Sequence, residues 1–474
     1  MPDISENAAK AFPSAAVSNA EEYYSHISHW KNIYSGNPPW KTVEAYRGKE
    51  KRNRTRCLMG AAKMLCDNLS DLTFAEQCEI TVDDVAGESF LLETLESNSF
   101  WQRLPELLSS AFALGGCVLR AYADNGRIMI DFVRADEFMP TEWQGSHITA
   151  GIFQTLIRRG DYYYTLLTEQ KKGSVTNKLY RSGSPEFLGT ECPVSEIYEN
   201  LESDIKLTRS ESPLFAYFSP AASNNILDNN VPLGISVFAN AEDTLRELDI
   251  VFDSFGREFI LGRKRIVVPA TALRPSIDTE TGLSTYYFDT DDEVFVGLDT
   301  EDCNNIKITD NSAELRVSEH ITSINALLNI LCAQTGLSSG SLSFEGGQSV
   351  KTATEVVSQE SKTARTVRSN KNQLNETLED LFNAILELAI SMGLLPPKNY
   401  KITIGWKDNV VIDDNTAIDN TVKLYGAGLL DLNSAVMQAN KYDEKTAADV
   451  VEKIKSEKAI GSADFFGDNN QTEE

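Results

Sequence analysis

Apolar side chains recur at helical intervals along residues 234–263. Phe238, Ala241, Leu245, Leu248, Phe252, Phe255 and Phe259 alternate steps of three and four, which sets all of them on one stripe of an α-helix. At about 1.5 Å per residue such a helix runs roughly 40 Å. Glu242, Arg246, Asp249 and Asp253 form a separate charged row at similar spacing, and Asp243 and Glu247 lie nearly opposite the apolar stripe. Ile250 and Val251 fall off the stripe, so the helix is expected to pack on more than one side. A second stripe, Val317, Ile321, Ile324, Leu328, Leu331 and Thr335, predicts a helix over 313–335 with Gly336 as its C-cap. Between the two helices, short strands are expected at 265–269, 285–288, 294–298 and 305–309. The simplest geometry is an antiparallel helix pair with a β-rich tip at its far end.

The rest of the chain reads as α+β. Residues 1–20 are polar and Ala-rich and are expected to be loose. Helices are predicted at 21–34, 53–72, 88–95 and 100–114, the first ended by the Pro38-Pro39 pair. The period then changes to two. Strands at 118–122 and 127–133 flank Asp124-Asn125-Gly126, a hairpin signal, and further strands follow at 151–158, 162–169, 178–181 and 214–218. After the second long helix, a Gly/Ser-rich loop over 337–351 leads into one long helix, 352–392. The first half of that helix carries Lys362, Arg365, Arg368 and Lys371. A strand at 401–406, small helices at 414–425, 432–439 and 444–457, and an acidic tail from 461 complete the chain.

Charge changes this picture. The 474 residues carry a net charge of −26 with a pI near 4.6. A protein that coats nucleic acid through its phosphates is basic, so a DNA-coating role is disfavoured, whereas a surface past which DNA slides without adhering is compatible with the charge. The seven cysteines are scattered and odd in number, with no Cys-x-x-Cys pair, as expected of free thiols in a reducing compartment. His26 and His29 are three apart but have no matching ligand pair. The N-terminus lacks a secretory pattern and no run of about 18 apolar residues occurs, so no membrane span and synthesis in a cytoplasm are expected.

No catalytic constellation stands out. The loop Gly346-Gly347-Gln348-Ser349-Val350-Lys351-Thr352 is P-loop-like, but Val350 stands where a phosphate loop needs Gly and Glu345 would repel phosphate. Asp289, Asp291, Asp292 and Glu293 have part of a calcium-loop pattern, but Val294 and Thr300 occupy the positions that need Gly and Glu. A solvated turn is the simpler reading, and neither a cofactor nor a metal is expected. The basic stripe Lys362–Lys371 has two readings, pairing with acidic residues of a neighbouring subunit or facing phosphates; the acidity of the chain favours the first.

The order helix, β tip, return helix, Gly/Ser loop and long helix resembles the core of tailed-bacteriophage portal proteins, most closely those of siphophages of Gram-positive hosts. The resemblance covers about 30–460. It is carried by residues 233–255 (LGISVFANAEDTLRELDIVFDSF), 262–269 (GRKRIVVP), 352–361 (TATEVVSQES), 112–116 (FALGG) and 136–140 (DEFMP). It implies an α+β portal fold, divided into an N-terminal region and wing (1–235), stem helices (236–262 and 313–335), a clip (263–312), a channel loop (336–351), a long wing helix (352–395), a crown (396–460) and a tail (461–474). It further implies a non-enzymatic ring, usually of twelve subunits, at one capsid vertex, through which double-stranded DNA is packaged and ejected. Its implied partners are the terminase large subunit, a head-tail connector, and the major capsid and scaffolding proteins. The channel loop residues would be Ser343, Phe344, Glu345, Gln348 and Lys351. Glu242, Asp243, Glu247, Asp249 and Asp253 would be candidates for an acidic channel wall, and Asp289, Asp291, Asp292 and Glu293 for the docking face of the clip. A nucleotide-driven motor and a connector or scaffold ring without a DNA channel are the alternatives.

Overall fold

A computed structural model of the chain describes residues 3–15, 20–47, 50–74, 77–206, 212–226, 231–261, 266–267, 274–277, 284–287, 309–310, 314–344, 353–406, 414–440, 447–448 and 450–455. They fall into two compact units, Met1–Gly405 and Trp406–Glu474.

The first unit opens with α1 (Ile4–Ala11) and α2 (Ala20–Tyr34). The expectation of a loose N-terminus is overturned for α1. Asp3 caps the helix by accepting from the Ser5 amide at 2.9 Å, and Ile4, Ala8 and Ala11 are buried. Small apolar residues at helical spacing, which look featureless in an Ala-rich stretch, suffice once a sheet lies beneath them: Asn7 donates to Gln154 at 2.9 Å in the buried interface. A hairpin of β1 (Thr42–Arg47) and β2 (Glu50–Thr55) follows, then α3 (Ala61–Thr73). The helix expected from residue 53 therefore starts eight residues later. The 50–55 stretch has no apolar stripe of its own, cross-strand pairing claims it, and Gly60, with φ +73°, sets the turn before α3.

β3 (Glu79–Val82), α4 (Val85–Ser97) and α5 (Phe100–Leu114) precede the hairpin of β4 (Cys117–Asp124) and β5 (Arg127–Arg134), which turns at Asn125-Gly126 as its sequence predicts. Next come β6 (Phe138–Gln144), β7 (His147–Arg159), β8 (Tyr162–Lys171), β9 (Ser174–Ser182), β10 (Thr190–Cys192), β11 (Asp204–Lys206) and β12 (Phe215–Phe218). Strands β6 to β10 form an antiparallel meander in sequential order, with β11 also paired to β9; β12 joins β4 and β5 in a separate three-stranded sheet. Phe138, Phe153 and Phe215 pack with Val118 and Val133 where the two sheets meet. β6, β10 and β11 were not foreseen: β6 is interrupted by Pro140 and irregular register, and β10 and β11 are three residues each.

The chain then forms α6 (Glu242–Leu261), β13 (Ile266–Val267), β14 (Arg274–Ile277), β15 (Ser284–Tyr287), β16 (Thr309–Asp310), α7 (Val317–Gln334), α8 (Ala353–Ser391) and β17 (Ile402–Gly405). Between α6 and α7, β13 pairs with β16 and β14 with β15. The strand expected at 294–298 lies outside the described residues. The long helix α8 packs on β12 and β4 and buries Leu374, Leu378, Leu381 and Ile385, the stripe its sequence predicts. β17 pairs with β3 inside this first unit. The second unit contains α9 (Asp414–Gly426), α10 (Leu432–Asn440) and helical residues at 447–448 and 450–455, with Val436, Ala447 and Val451 packed together. The tail from 461 lies outside the described residues.

The helix expected from Gly234 starts at Glu242, because residues 234–238 are committed to the end of α5. Gly115 terminates α5 with φ +88°, and a Cβ there would meet the Gly234 carbonyl oxygen at 2.5 Å. Tyr217 seals the contact, donating its hydroxyl to Gly115 O and accepting from Gly234 N, both at 3.1 Å. The Val237 amide donates to Phe112 O at 3.0 Å. Gly115→Ala combines a left-handed backbone with a backbone clash, so it should destabilise the first unit by about 2–4 kcal/mol; urea unfolding of wild type and variant measures the difference.

Candidate functional site

The candidate site is built on α6 and on what covers it. Leu245 and Leu248 are buried at its N-terminal half, as are Phe238 and Ala241 just before it, whereas Phe259 and Ile260 at the other end are exposed. The apolar stripe is thus covered at the root and open toward the tip. Two polar contacts orient the helix pair. Thr244 near the start of α6 donates to Gln334 at the end of α7 at 2.9 Å, and Arg316, just before α7, reaches Glu258 near the end of α6 at 3.0 and 3.1 Å. The pair is therefore antiparallel.

Three of the five acidic wall candidates are occupied within the protomer. Glu242, in the first turn of α6, accepts from the indole of the fully buried Trp30 at 3.0 Å and lies 2.9 Å from His29 Nε2. Asp249 accepts from the indole of Trp40 and from the Met59 amide, each at 2.9 Å. Asp253 accepts both guanidinium nitrogens of Arg54, at 2.8 and 2.6 Å, and the Cys57 amide at 3.1 Å. Asp249 and Asp253 are only 7% and 5% exposed, so neither can be bare wall, and that expectation is corrected. The three acidic members of the row instead form the seam along which His29, Trp30, Trp40, Arg54, Cys57 and Met59 bind α6. His29, whose role the sequence left open, belongs to this seam, and His26 stacks at a tilt on Trp30.

The two buried aspartates sit in opposite electrostatic settings. Burial raises the Asp249 carboxyl above the usual range, opposed by its hydrogen bonds from Trp40 and Met59. The hydrogen bonds from Arg54 hold Asp253 below it. Asp243 and Glu247, by contrast, face outward, with side chains 89% and 49% exposed, and Arg246 bridges them at 3.2 and 3.7 Å. Sequence spacing separated the two sets of carboxylates. It did not reveal that Trp40, Arg54 and two backbone amides would claim one of them, because those partners lie about 190 to 210 residues away in the chain.

The first part of the expected channel loop is docked and does not project. Gly336 takes φ +81°, and Ser338 exchanges hydrogen bonds with Thr363 of α8. Ser339 Oγ and the Gly340 amide donate to Asn329 at 2.8 and 2.9 Å, and the Phe344 amide donates to Asn325 at 2.9 Å. The Phe344 ring meets Phe252 and Phe255 of α6 edge-on, with centroids 6.3 and 6.2 Å apart. Ser343 is exposed. Glu345, Gln348 and Lys351 lie outside the described residues, as do Asp289, Asp291, Asp292 and Glu293. On α8, Lys362 donates to Ala333 O, the last turn of α7, at 2.9 Å. Arg365 and Arg368 are exposed and Lys371 is half-buried. Among the described residues no cluster of His, Cys, Asp and Glu could hold a metal ion, and no helix is long and apolar enough to cross a membrane. Six described cysteines are free thiols.

This is an α+β chain in which a clasped helix pair carries a short loop on one side and a small β unit between its helices. A family model described as "Phage portal protein, SPP1 Gp6-like" matches residues 17–461, and the chain belongs to that family. It is a phage portal protein. No curated protein matches it significantly. Among solved structures it is similar to the neck of an empty GTA particle computed with C6 symmetry, at 10% identity and TM-score 0.42, covering 80% of this chain and 89% of the other. It is also similar to the virion of a native gene transfer agent particle, at 8% identity and TM-score 0.40, covering 80% and 88%.

Asp253 contributes stability that is fully present above the unfolded aspartate pKa, about 3.9, and is lost as pH falls through its lower folded value. Asp253→Asn should therefore cost about 2 kcal/mol at neutral pH, with the gap to wild type closing below about pH 4. Asp249→Asn, which removes a charge that burial disfavours, should cost less. Urea titrations at neutral and acid pH distinguish the two. Phe344→Ala, which removes both ring contacts, should speed hydrogen exchange at the Gly340 and Phe344 amides roughly tenfold; unchanged protection would show that Asn325 and Asn329 hold the segment alone.

Proposed function

We propose that the chain forms one twelfth of a ring at a single capsid vertex and that double-stranded DNA passes through the centre of that ring during packaging and ejection. The observation that carries this reading is the family match over 17–461, which spans the helix pair, the loop after α7 and the long helix α8. In this reading α6 and α7 are the stem. Residues 263–312 are the clip that docks first the terminase large subunit and then a head-tail connector, with Asp289, Asp291, Asp292 and Glu293 as its acidic face. Residues 396–460 lie in the crown, and assembly takes place in the host cytoplasm with the major capsid and scaffolding proteins.

The acidic wall is carried by Asp243 and Glu247, since their row is outward and the other is occupied. Repeated around a ring, such carboxylates keep phosphates from adhering, so DNA moves freely. With the loop docked as far as Phe344, the DNA-facing residues are Glu345, Gln348 and Lys351. The basic stripe is assigned to contacts between and within subunits: Lys362 is already bound to the end of α7. The chain acts as a conduit and not as an enzyme.

Electron microscopy of the purified protein should show rings with a central hole; particles that stay monomeric under assembly conditions, or ATP turnover by the pure protein, would count against the reading. Asp243→Lys combined with Glu247→Lys should leave rings intact and reduce packaged DNA about tenfold or more. Unaltered packaging by such rings would take these two residues off the wall.

A further inference from the structure

Helix α9 carries an apolar stripe that its own unit leaves open. Ile418, Val422 and Tyr425 stand four and three apart, which sets them on one face of the helix. All three are exposed, Val422 at 60%. The chain turns directly after them. Gly428 takes φ +71°, the Gly428 amide donates to Tyr425 O at 3.0 Å and the Leu429 amide to Leu424 O at 3.0 Å. This is a left-handed helix stop that makes Leu424 and Leu429 neighbours, and both leucines are exposed, Leu429 at 76%. Among the described residues of α9, Thr421 alone is buried.

The described core of the second unit is built without these side chains. Val436, Ala447 and Val451 pack together, and Leu432, Met437, Val450 and Ile454 lie half-buried against them. No residue of α9 belongs to that cluster. The unit therefore has two separate apolar surfaces among its described residues, an open stripe on α9 and a partly covered cluster on α10 and the helical residues after 447. Large apolar side chains gathered at a surface mark a contact, whereas single ones do not.

We infer that the α9 stripe is an inter-subunit contact and that it seats on the half-open cluster of Leu432, Met437, Val450 and Ile454 of a second copy of this chain, an inference that rests on the ring reading above. Symmetry favours this partner. A ring of more than two copies is closed by heterologous contacts, in which one patch meets a different patch on the next copy, and the second unit carries two different apolar patches. Size favours it too. A free-standing interface takes about 20–30 residues a side; five side chains are far fewer, so the stripe is too small to hold two free chains together and serves instead to extend a contact that a ring already makes. Chemistry excludes nucleic acid, because the stripe has no charged side chain and the chain as a whole carries −26.

The test mixes full-length chains carrying Val422→Cys with chains carrying Met437→Cys or Ile454→Cys, assembles them and oxidises the product. Mass spectrometry should find disulfides joining position 422 of one chain to position 437 or 454 of another; the two new cysteines sit on different chains, so every such link is between subunits. In parallel, Val422→Ser and Leu429→Ser are combined in one chain, which leaves the net charge unchanged. Both positions are exposed, so circular dichroism and thermal unfolding should match wild type, while half-assembly by analytical ultracentrifugation should need roughly tenfold higher concentration. Assembled rings that yield neither link, or assembly of the double variant at the wild-type concentration, would overturn the inference; the stripe would then be covered within its own chain or by a different molecule. Links joining 422 to 422 would show two-fold pairing and overturn it as well. Wild-type protein that forms no ring under any condition would defeat the ring reading itself, and is told apart by the absence of any assembled species.

Discussion

Asp249 and Asp253 stand one turn apart on α6 and take four different donors from residues 40–59. This clasp, with Glu242 extending it about two turns toward the start of α6 through Trp30 and His29, determines what else α6 can do. A carboxylate that accepts two or three hydrogen bonds and sits behind other side chains cannot also present charge to a passing polyanion. The outward row of Asp243 and Glu247 is therefore left to define the acidic character of the helix. The inward row converts an otherwise detachable N-terminal segment into part of the helix's support. Each removed partner would leave a buried charge uncompensated, which is why such pairs are costly to break even where their net contribution is small.

A second constraint acts just below the clasp. Gly115 and Gly234 approach too closely for any side chain, and Tyr217 closes the gap between them. The helix pair is thereby rooted in the end of α5 and in β12, and through β12 in α8. Above this root the apolar stripe of α6 becomes progressively exposed, and Phe344 from the following loop covers part of it. Support at the root and open apolar surface toward the tip suit a helix pair that completes its packing against other copies in a ring.

Much of this was legible in the sequence. The stripes of α6, α7 and α8 follow from helical periodicity alone, and the Asp124-Asn125-Gly126 turn from the backbone freedom of Asn and Gly. Interdigitated charged and apolar rows on α6 were visible too, along with the family resemblance that the match over 17–461 now establishes. What escaped notice were elements whose stability is borrowed. α1 is short and Ala-rich and depends on the sheet beneath it. β2 has no apolar alternation and depends on pairing with β1, and β10 and β11 are short additions to an existing edge.

The sequence by itself determined which residues share a face, because intervals of three and four, or of two, translate directly into geometry. It also set a net charge of −26, which disfavours coating nucleic acid through its phosphates. Only the tertiary structure decided which of two equally acidic rows is exposed. Trp40, Arg54 and the amides of Cys57 and Met59 reach α6 from some two hundred residues away. Periodicity is a local property of the chain, whereas burial of a charge depends on a partner brought from elsewhere by the fold.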